Sequence, residues 1–176
     1  MNNLEDLLDK SKIVSQLEEG IYLTDLKLKK DVKVSQEAWL NIYNFDINSE
    51  NKDRIDFFKT KLAGHMQKIE KYHQFKPNDV YLEIGCGPSY VAEHLMNKHD
   101  VCFIGIDFNL NLLKSLKKYL EQKGFSKFLL ICADINEMPI KDESIDFVYG
   151  GGVIEHFSDT KHILKELNRV LKKGGV

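Results

Sequence analysis

The chain has 176 residues, with 25 basic and 27 acidic side chains and a formal net charge of −2. This length supports one domain with a sizeable core and a small appendage, and it argues against two full domains. The near-neutral charge provides no global field that would recruit nucleic acid or an anionic membrane. The chain starts without a basic stretch followed by an apolar one, and no apolar run reaches membrane-spanning length. We therefore expect a soluble, cytoplasmic protein.

The three cysteines, Cys86, Cys102 and Cys132, are widely spaced, and each lies in or beside an apolar, strand-like stretch. The chain has no Cys-x-x-Cys pair of the kind that binds metals or carries out redox chemistry. Most of the histidines also lack the spacing of metal ligands, namely His65, His73, His94, His99 and His162. We expect reduced cysteines in the core and no metal site.

The first 76 residues are predicted to be mainly helical. Residues 4–19 place leucines and a valine at mostly helical spacing among charges, which predicts an amphipathic helix that ends at Gly20. Residues 21–34 alternate in part between apolar side chains and lysines, a pattern that favours a short exposed strand or an extended arm.

Two further helices are predicted before residue 77. Ser35 is a candidate N-cap for a short helix that carries Trp39 and Tyr43. Between Ile55 and Tyr72, apolar residues recur every three or four positions, which predicts a longer helix with one apolar stripe. Such aromatic residues more often cover a core, but residues 1–76 could also form a lid over a substrate.

From residue 77 onward, apolar strands alternate with amphipathic helices. The predicted strands span 80–84, 101–106, 128–133 and 145–149, and the predicted helices begin near Pro88, Leu110 and Asp159. Repeated βα units imply a Rossmann-like α/β fold, in which a parallel sheet has helices on both faces. Ligands of such sheets bind beyond the carboxyl ends of the strands.

The first of these strands ends in Glu83-Ile84-Gly85-Cys86-Gly87. Gly85 and Gly87 allow the backbone to turn tightly and to come close to a ligand, and free N–H groups at the start of the next helix favour anionic or polar ligand atoms. A dinucleotide fingerprint would place a third glycine at position 90, where the chain has Tyr90. The stretch therefore predicts a nucleotide-type cofactor turn, with a purely structural turn as the alternative.

Acidic residues follow the next two predicted strands. Asp107 lies 20 residues after Gly87, where a carboxylate can accept hydrogen bonds from both hydroxyls of a ribose. Asp134 could accept a hydrogen bond from the exocyclic amine of adenine, and Phe108 could lie against the base. Each acid could instead cap a helix. Taken together, the strand ends predict an adenosine site.

Over residues 77–176, these motifs resemble those of the class I S-adenosylmethionine-dependent methyltransferases. Residues 83–87 resemble the first motif of that family, Asp107 its ribose acid, residues 133–135 its adenine segment and residues 151–156 its fourth-strand loop. The resemblance implies S-adenosylmethionine as cofactor and S-adenosylhomocysteine as product, bound by a set of residues in the domain 77–176. That set is Glu83, Gly85, Cys86, Gly87, Asp107, Phe108, Asp134, Ile135 and Gly150.

Two departures from the family pattern stand out. Ser89 occupies a position where many members have a third glycine, which is expected to crowd the turn slightly. The family's sheet has the strand order 3-2-1-4-5-7-6, and Val176 falls where strand five would begin. The chain is therefore expected to be truncated before strand five, and its fourth strand to have an uncovered edge through which the chain can self-associate.

The reaction implied by the resemblance is direct transfer of a sulfonium methyl group to a nucleophile, for which the protein chiefly aligns the partners. His156 is a candidate catalytic base, with a hydrogen-bonded loop histidine as the alternative. The charge balance favours a small-molecule acceptor, such as a metabolite, a lipid precursor or a saccharide, over nucleic acid. Two other functions stay open: a nicotinamide-dependent oxidoreductase, and a cofactor-binding protein without catalytic activity.

Overall fold

The computed structural model describes residues 3–17, 20–26 and 52–176, and a six-stranded sheet lies at its centre. The strands are β1 (Ile13–Gln16), β2 (Ile21–Thr24), β3 (Val80–Ile84), β4 (Cys102–Asp107), β5 (Phe128–Cys132) and β6 (Phe147–Tyr149). Their order across the sheet is β1-β2-β5-β4-β3-β6, and every pair is parallel except β1 with β2. The predicted α/β fold is confirmed, as is the predicted order of the strands that follow residue 77.

Helices cover both faces of the sheet. They are α1 (Lys52–Tyr72), α2 (Tyr90–His99), α3 (Leu110–Gln122) and α4 (Thr160–Val170), with short 3-10 helices at Leu4–Leu7, Lys10–Lys12, Ile135–Glu137 and Ile154–His156. Helix α2 begins at Tyr90, so Pro88 lies in the turn before the helix and not in its first turn as predicted. The helix predicted after Ser35 lies outside the described residues.

Alternation along the strands divides the core into two layers. On β3, Tyr81 faces the layer built with α1, α2 and α3, whereas Leu82 faces the layer that contains α4. Tyr81, Leu82 and their neighbours are buried from end to end of the strand. A strand that is apolar on both faces can only lie inside a sandwich of helices, which explains the near-continuous apolar run in the sequence. All three cysteines are free and buried in this core, as expected.

The prediction of one helix over residues 4–19 is wrong. The stretch forms two 3-10 turns and then β1, which pairs antiparallel with β2 through a hairpin closed by a hydrogen bond from the Leu17 N–H to the Ile21 carbonyl. Gly20 ends the element as predicted, but as a hairpin residue with a φ of +78°. Pairing with a distant part of the sheet overrides a weak local helical pattern, because the backbone hydrogen bonds and the buried surface both favour the strand.

Strand β2 is inserted beside β5 and is not an exposed arm. Ile21 has 0% and Tyr22 has 8% of its surface exposed, and both residues pair in parallel with β5. Residues 27–34 of the predicted arm lie outside the described residues. The sheet therefore carries a two-stranded extension, built from the start of the chain, on the side away from β3.

The opposite side of the sheet ends at β6. Beyond it, the Val148 N–H donates to the Val176 carbonyl at 2.7 Å, and the Val176 N–H donates to the Asp146 carbonyl at 3.1 Å. These bonds lie where the next strand of the implied sheet would begin. Within the described residues, no helix combines the length and the apolar character needed to cross a membrane.

Candidate functional site

The glycine turn connects β3 to α2 at the carboxyl end of the sheet. Gly85 and Gly87 have φ angles of +55° and +49°, a region that side chains other than glycine rarely adopt. A Cβ atom at Gly85 would lie 2.7 Å from Cγ2 of Val153, so this glycine lets the loop after β6 pack onto the turn. At Gly87 the nearest atom to such a Cβ would be 4.0 Å away. The backbone at Gly87 therefore leaves room for close approach of a ligand.

Asp107 is the last residue of β4 and is 7% exposed. Its Oδ2 accepts a hydrogen bond from the Gly87 N–H at 3.0 Å, and its Oδ1 accepts one from the Asn109 N–H at 2.9 Å. Burial raises the pKa of the Asp107 carboxyl, and these backbone donors partly offset the effect. The carboxylate thus ties the glycine turn to the neighbouring strand end, and its contact with a ribose stays a prediction.

Glu83 lies one strand away and is likewise 7% exposed. Its Oε2 accepts hydrogen bonds from the hydroxyls of Tyr81, at 3.0 Å, and Ser89, at 3.1 Å. Burial raises the pKa of Glu83 to about 8; the two hydroxyls act against this rise, and the charge of Asp107 adds to it. The site therefore contains two buried carboxyl groups on neighbouring strands, an arrangement that favours a positively charged ligand.

Asp134 follows β5 and is half-buried. It caps the 3-10 helix Ile135–Glu137, and its Oδ1 accepts hydrogen bonds from both the backbone N–H and the side-chain amide of Asn136, each at 2.8 Å. Asp134 therefore caps a helix, which was the alternative to a ligand contact. Its contact with adenine stays a prediction.

The other predicted cofactor residues surround this edge of the sheet in different ways. Cys86 points into the core, so the part it offers to a ligand is its backbone. Phe108 is half-buried at the end of β4, and Ile135 is buried in the layer with α4. A Cβ at Gly150 would overlap the side chain of Ile84, so close packing of the loop against β3 requires glycine here.

The loop after β6 brings Val153 against Gly85 of the glycine turn. His156 ends the 3-10 helix Ile154–His156, and its backbone N–H donates to the Val153 carbonyl at 3.1 Å. Its proposed role as a catalytic base stays a prediction.

The roles of three side chains at the site, Tyr81, Ser89 and Tyr149, were not predicted from the sequence. Tyr81 and Ser89 bond to Glu83, and Tyr149 lies close enough for the charge of Glu83 to contribute to its raised pKa, which burial chiefly causes. The Tyr149 hydroxyl is also 3.4 Å from Nδ1 of His65 on α1. Tyr81 could have been found from its spacing, because residues i and i+2 of a strand share a face. The contact between Tyr149 and His65 could not be predicted from spacing, since these residues lie 84 positions apart.

The polar groups at this edge of the sheet fit an adenosine-type cofactor with a cationic end better than they fit a metal ion. Two buried carboxyl groups, a glycine backbone with open space and an acid at the next strand end provide polar partners spread along the sheet edge. Across the described ranges, no group of three or more His, Cys, Asp or Glu side chains is arranged to hold a metal ion.

Comparison with known proteins identifies similar chains. A family model described as a methyltransferase domain matches residues 82–176, which is more than half of the chain. The sterol 24-C-methyltransferase erg6 of Aspergillus fumigatus is 29% identical over 120 residues, covering 68% of this chain and 32% of that protein. A demethylmenaquinone methyltransferase of Bacillus cereus is 31% identical over 139 residues, covering 74% of this chain and 58% of that protein. The chain therefore spans less than two thirds of the length of these relatives.

A solved structure shares the fold. The phosphoethanolamine N-methyltransferase 2 of Haemonchus contortus, in complex with phosphomonomethylethanolamine and S-adenosylhomocysteine, superposes with a TM-score of 0.58 at 23% identity. The match covers 64% of this chain and 26% of that one. At this level of identity, the likeness establishes the architecture alone.

Proposed function

Because the chain belongs to the methyltransferase domain family, we propose that it acts as an S-adenosylmethionine-dependent methyltransferase on a small molecule, such as a metabolite, a lipid precursor or a saccharide. The observation that carries the proposal is the pair of buried carboxyl groups, Glu83 and Asp107, on either side of an open glycine turn at the carboxyl ends of neighbouring strands. A cofactor with a cationic methionine end and a ribose offers matching partners to both groups.

Each residue of the site has a distinct role in this proposal. Asp107 accepts hydrogen bonds from the ribose hydroxyls, and Asp134 accepts one from the adenine amine beside Phe108 and Ile135. Glu83, with the backbone of Gly85, Cys86, Gly87 and Gly150, holds the methionine end. When bound, the cofactor supplies an electrophilic methyl group on a sulfonium ion.

The remaining work of the protein is alignment and exclusion of water. Val153 packs on Gly85 and closes one side of the glycine turn, and α1 approaches the site through His65, which contacts Tyr149. Of residues 1–76, β1 and β2 belong to the sheet, so the proposed lid is confined to the rest of this segment, which would shield the acceptor. His156 would take a proton from an acceptor that has to lose one. Holding the acceptor in line with the methyl group provides much of the acceleration, so a base is needed only for some acceptors.

The class of acceptor is supported by the relatives and by the charge of the chain. The names of the three similar proteins described above refer to a sterol, a demethylated quinone and phosphoethanolamine, which are chemically unlike small molecules. The net charge of −2 provides no attraction for nucleic acid.

The test is calorimetric titration of the protein with S-adenosylmethionine, S-adenosylhomocysteine and NAD. We expect binding of the first two and none of NAD. Asp107→Ala should weaken S-adenosylhomocysteine binding by about 1.5–3 kcal/mol, or roughly 10- to 150-fold, because it removes a charged acceptor for two hydroxyls. Asp134→Ala should weaken binding less. Unchanged affinity of Asp107→Ala would contradict the ribose assignment, and binding of NAD alone would favour an oxidoreductase.

A screen of methyl acceptors on protein that binds the cofactor then separates an enzyme from a silent binding protein. Transfer of a labelled methyl group to one class of small molecule would support the proposal. Binding of the cofactor without transfer to any metabolite, lipid precursor or saccharide would favour the non-catalytic alternative.

A further inference from the structure

Ser89 adopts a backbone conformation that favours glycine. Its φ and ψ are +49° and +44°, in the left-handed region, and it is 2% exposed. It also occupies the N-cap position of α2, where a serine hydroxyl normally accepts a hydrogen bond from the first turn of the helix. The Ser89 side chain makes no such bond and instead donates to Oε2 of Glu83 at 3.1 Å. The chain thus tolerates backbone strain and gives up a helix cap while it retains one hydroxyl against Glu83.

Tyr81 delivers a second hydroxyl to the same oxygen. It lies two residues before Glu83 on β3, is fully buried, and donates to Oε2 at 3.0 Å. Oε1 of Glu83 accepts no hydrogen bond from the part of the chain that the structure describes. Two donors on one oxygen fix the orientation of the carboxyl group, and they leave Oε1 as the oxygen that can accept a hydrogen bond from a ligand.

No cation of the described chain balances Glu83. The groups that act on its carboxyl are the hydroxyls of Tyr81 and Ser89 and the carboxylate of Asp107 on β4. From the neighbouring elements, Tyr149 of β6 and the buried Cys86 thiol are themselves influenced by the charge of Glu83, and His65 of α1 lies behind Tyr149. Burial raises the pKa of Glu83 to about 8, so the free protein keeps a proton there at neutral pH.

We propose that Tyr81 and Ser89 are positioning residues that present Glu83 to the cationic methionine end of the cofactor, and that cofactor binding therefore expels a proton from Glu83 to solvent. The inference rests on the proposed function and extends it, since it assigns two residues and a proton balance to the binding step. A positive charge close to Oε1 favours the carboxylate, and the two hydroxyls stabilise the same form. The protein binds cofactor as the carboxylate, and the proton of the carboxylic acid leaves to the buffer.

The test is titration calorimetry with S-adenosylmethionine in two buffers of different ionisation enthalpy, from pH 6 to pH 9. At pH 7 the wild-type protein should release close to one proton per cofactor bound, and its affinity should rise with pH toward a plateau above about pH 8. Ser89→Gly and Tyr81→Phe each remove one donor to the carboxylate, so the pH midpoint should move up by about one unit and affinity at pH 7 should fall roughly tenfold. Glu83→Gln should release no proton.

Two features of the design separate positioning from a structural role. Ser89→Gly relieves the backbone strain, so a merely structural serine would give unchanged or better binding and an unchanged midpoint. Tyr119→Phe is the matched control, because the Tyr119 hydroxyl donates at 3.0 Å to a different buried carboxylate, that of Glu93. This control should keep the wild-type midpoint.

The outcomes distinguish the inference from the function on which it rests. Cofactor binding by the wild type without proton release, or with the same midpoint in Ser89→Gly and Tyr81→Phe, overturns the inference and leaves the proposed function standing. Absence of binding by a wild-type protein that is folded by circular dichroism overturns both. Should Tyr81→Phe fail to fold, Ser89→Gly decides the question by itself.

Discussion

At the scale of single residues, Glu83 keeps its proton over a pH range in which an unfolded chain releases it. Burial raises its pKa from an ordinary value of 4.5 to about 8. Between these values the folded chain binds more protons than the unfolded chain, so the free energy of unfolding falls as the pH rises. Buried Glu83 therefore lowers the stability of the folded chain as the pH rises, and in return the binding site contains a carboxyl group whose charge responds to a ligand.

The first prediction concerns the pH dependence of stability. Glu83→Gln should remove this contribution, which has a slope of at most about 1.4 kcal/mol per pH unit between pH 4.5 and 8. Urea denaturation of both proteins at pH 5 and pH 8 measures the effect. Relative to the wild type, the variant should have a higher free energy of unfolding at pH 8 than at pH 5. Parallel pH profiles for the two proteins would show that Glu83 is ionised in the free chain.

A second prediction at this scale concerns His156. Because Val153 packs on Gly85 and His156 is proposed to act on the acceptor, His156→Asn should leave the affinity for S-adenosylhomocysteine within a few fold of the wild-type value. With an acceptor identified by the screen, turnover of the variant should fall by about 10²–10⁴-fold if the acceptor has to lose a proton. A large loss of cofactor affinity would instead place His156 in the cofactor site.

At the scale of elements, β2 joins residues from the start of the chain to the sheet that carries the site. Ile21 is fully buried and pairs with Leu130 of β5, whose last residue, Cys132, is followed closely by Asp134. Loss of β2 would expose the backbone edge of β5 beside the predicted adenine position. The early residues thus support the strand that positions Asp134.

This arrangement predicts that Ile21→Ala destabilises the chain by about 2–5 kcal/mol, since it leaves a cavity under β2. The matched control is Val14→Ala on β1, where the side chain is 67% exposed and truncation should change stability by less than about 0.5 kcal/mol. Chemical denaturation of the three proteins measures both values. Similar small effects at the two positions would show that β2 is only loosely attached to β5.

At the scale of the whole molecule, the sheet ends differently on its two sides. The β1–β2 hairpin lies on one side, and β6 lies on the other, where Val176 bonds to the backbone of Val148 in β6 and of Asp146 just before it. Backbone groups on the edge of a sheet favour pairing with another chain. The self-association expected from the sequence therefore stays a prediction about the β6 edge.

That prediction is tested by light scattering over a range of protein concentrations. We expect the mean mass to rise above that of a monomer as concentration increases. Val148→Pro removes the outward-pointing N–H group of β6, which donates to the Val176 carbonyl, and it should reduce association because the proline ring disrupts this edge. A thermal melt of the variant checks that the loss of this hydrogen bond leaves it folded. A monomeric wild type at all concentrations would contradict the prediction, and equal association of both proteins would exclude this edge as the contact.

The sequence by itself determined the strands and helices after residue 77, and the family resemblance of its motifs implied the order of those strands in the sheet. Those strands are uniformly apolar because both of their faces are buried, and glycines and acids mark their ends, so both signals are local. The same local signals placed Glu83, Gly87, Asp107 and Asp134 at the carboxyl edge. Their partners within the protein were not visible in this way.

Only the tertiary structure decided how residues 4–24 fold and what surrounds Glu83. The helical spacing near Leu8 was overridden because Leu8 pairs with Ile140 and because β2, which follows, pairs with β5; both partners lie more than 100 residues away. The sequence shows that Ser89 stands where many family members have glycine. Its hydrogen bond to Glu83 forms only because the turn brings the Ser89 hydroxyl back to the end of β3. Long-range backbone pairing and side-chain burial set these features, and neither quantity is contained in a short window of sequence.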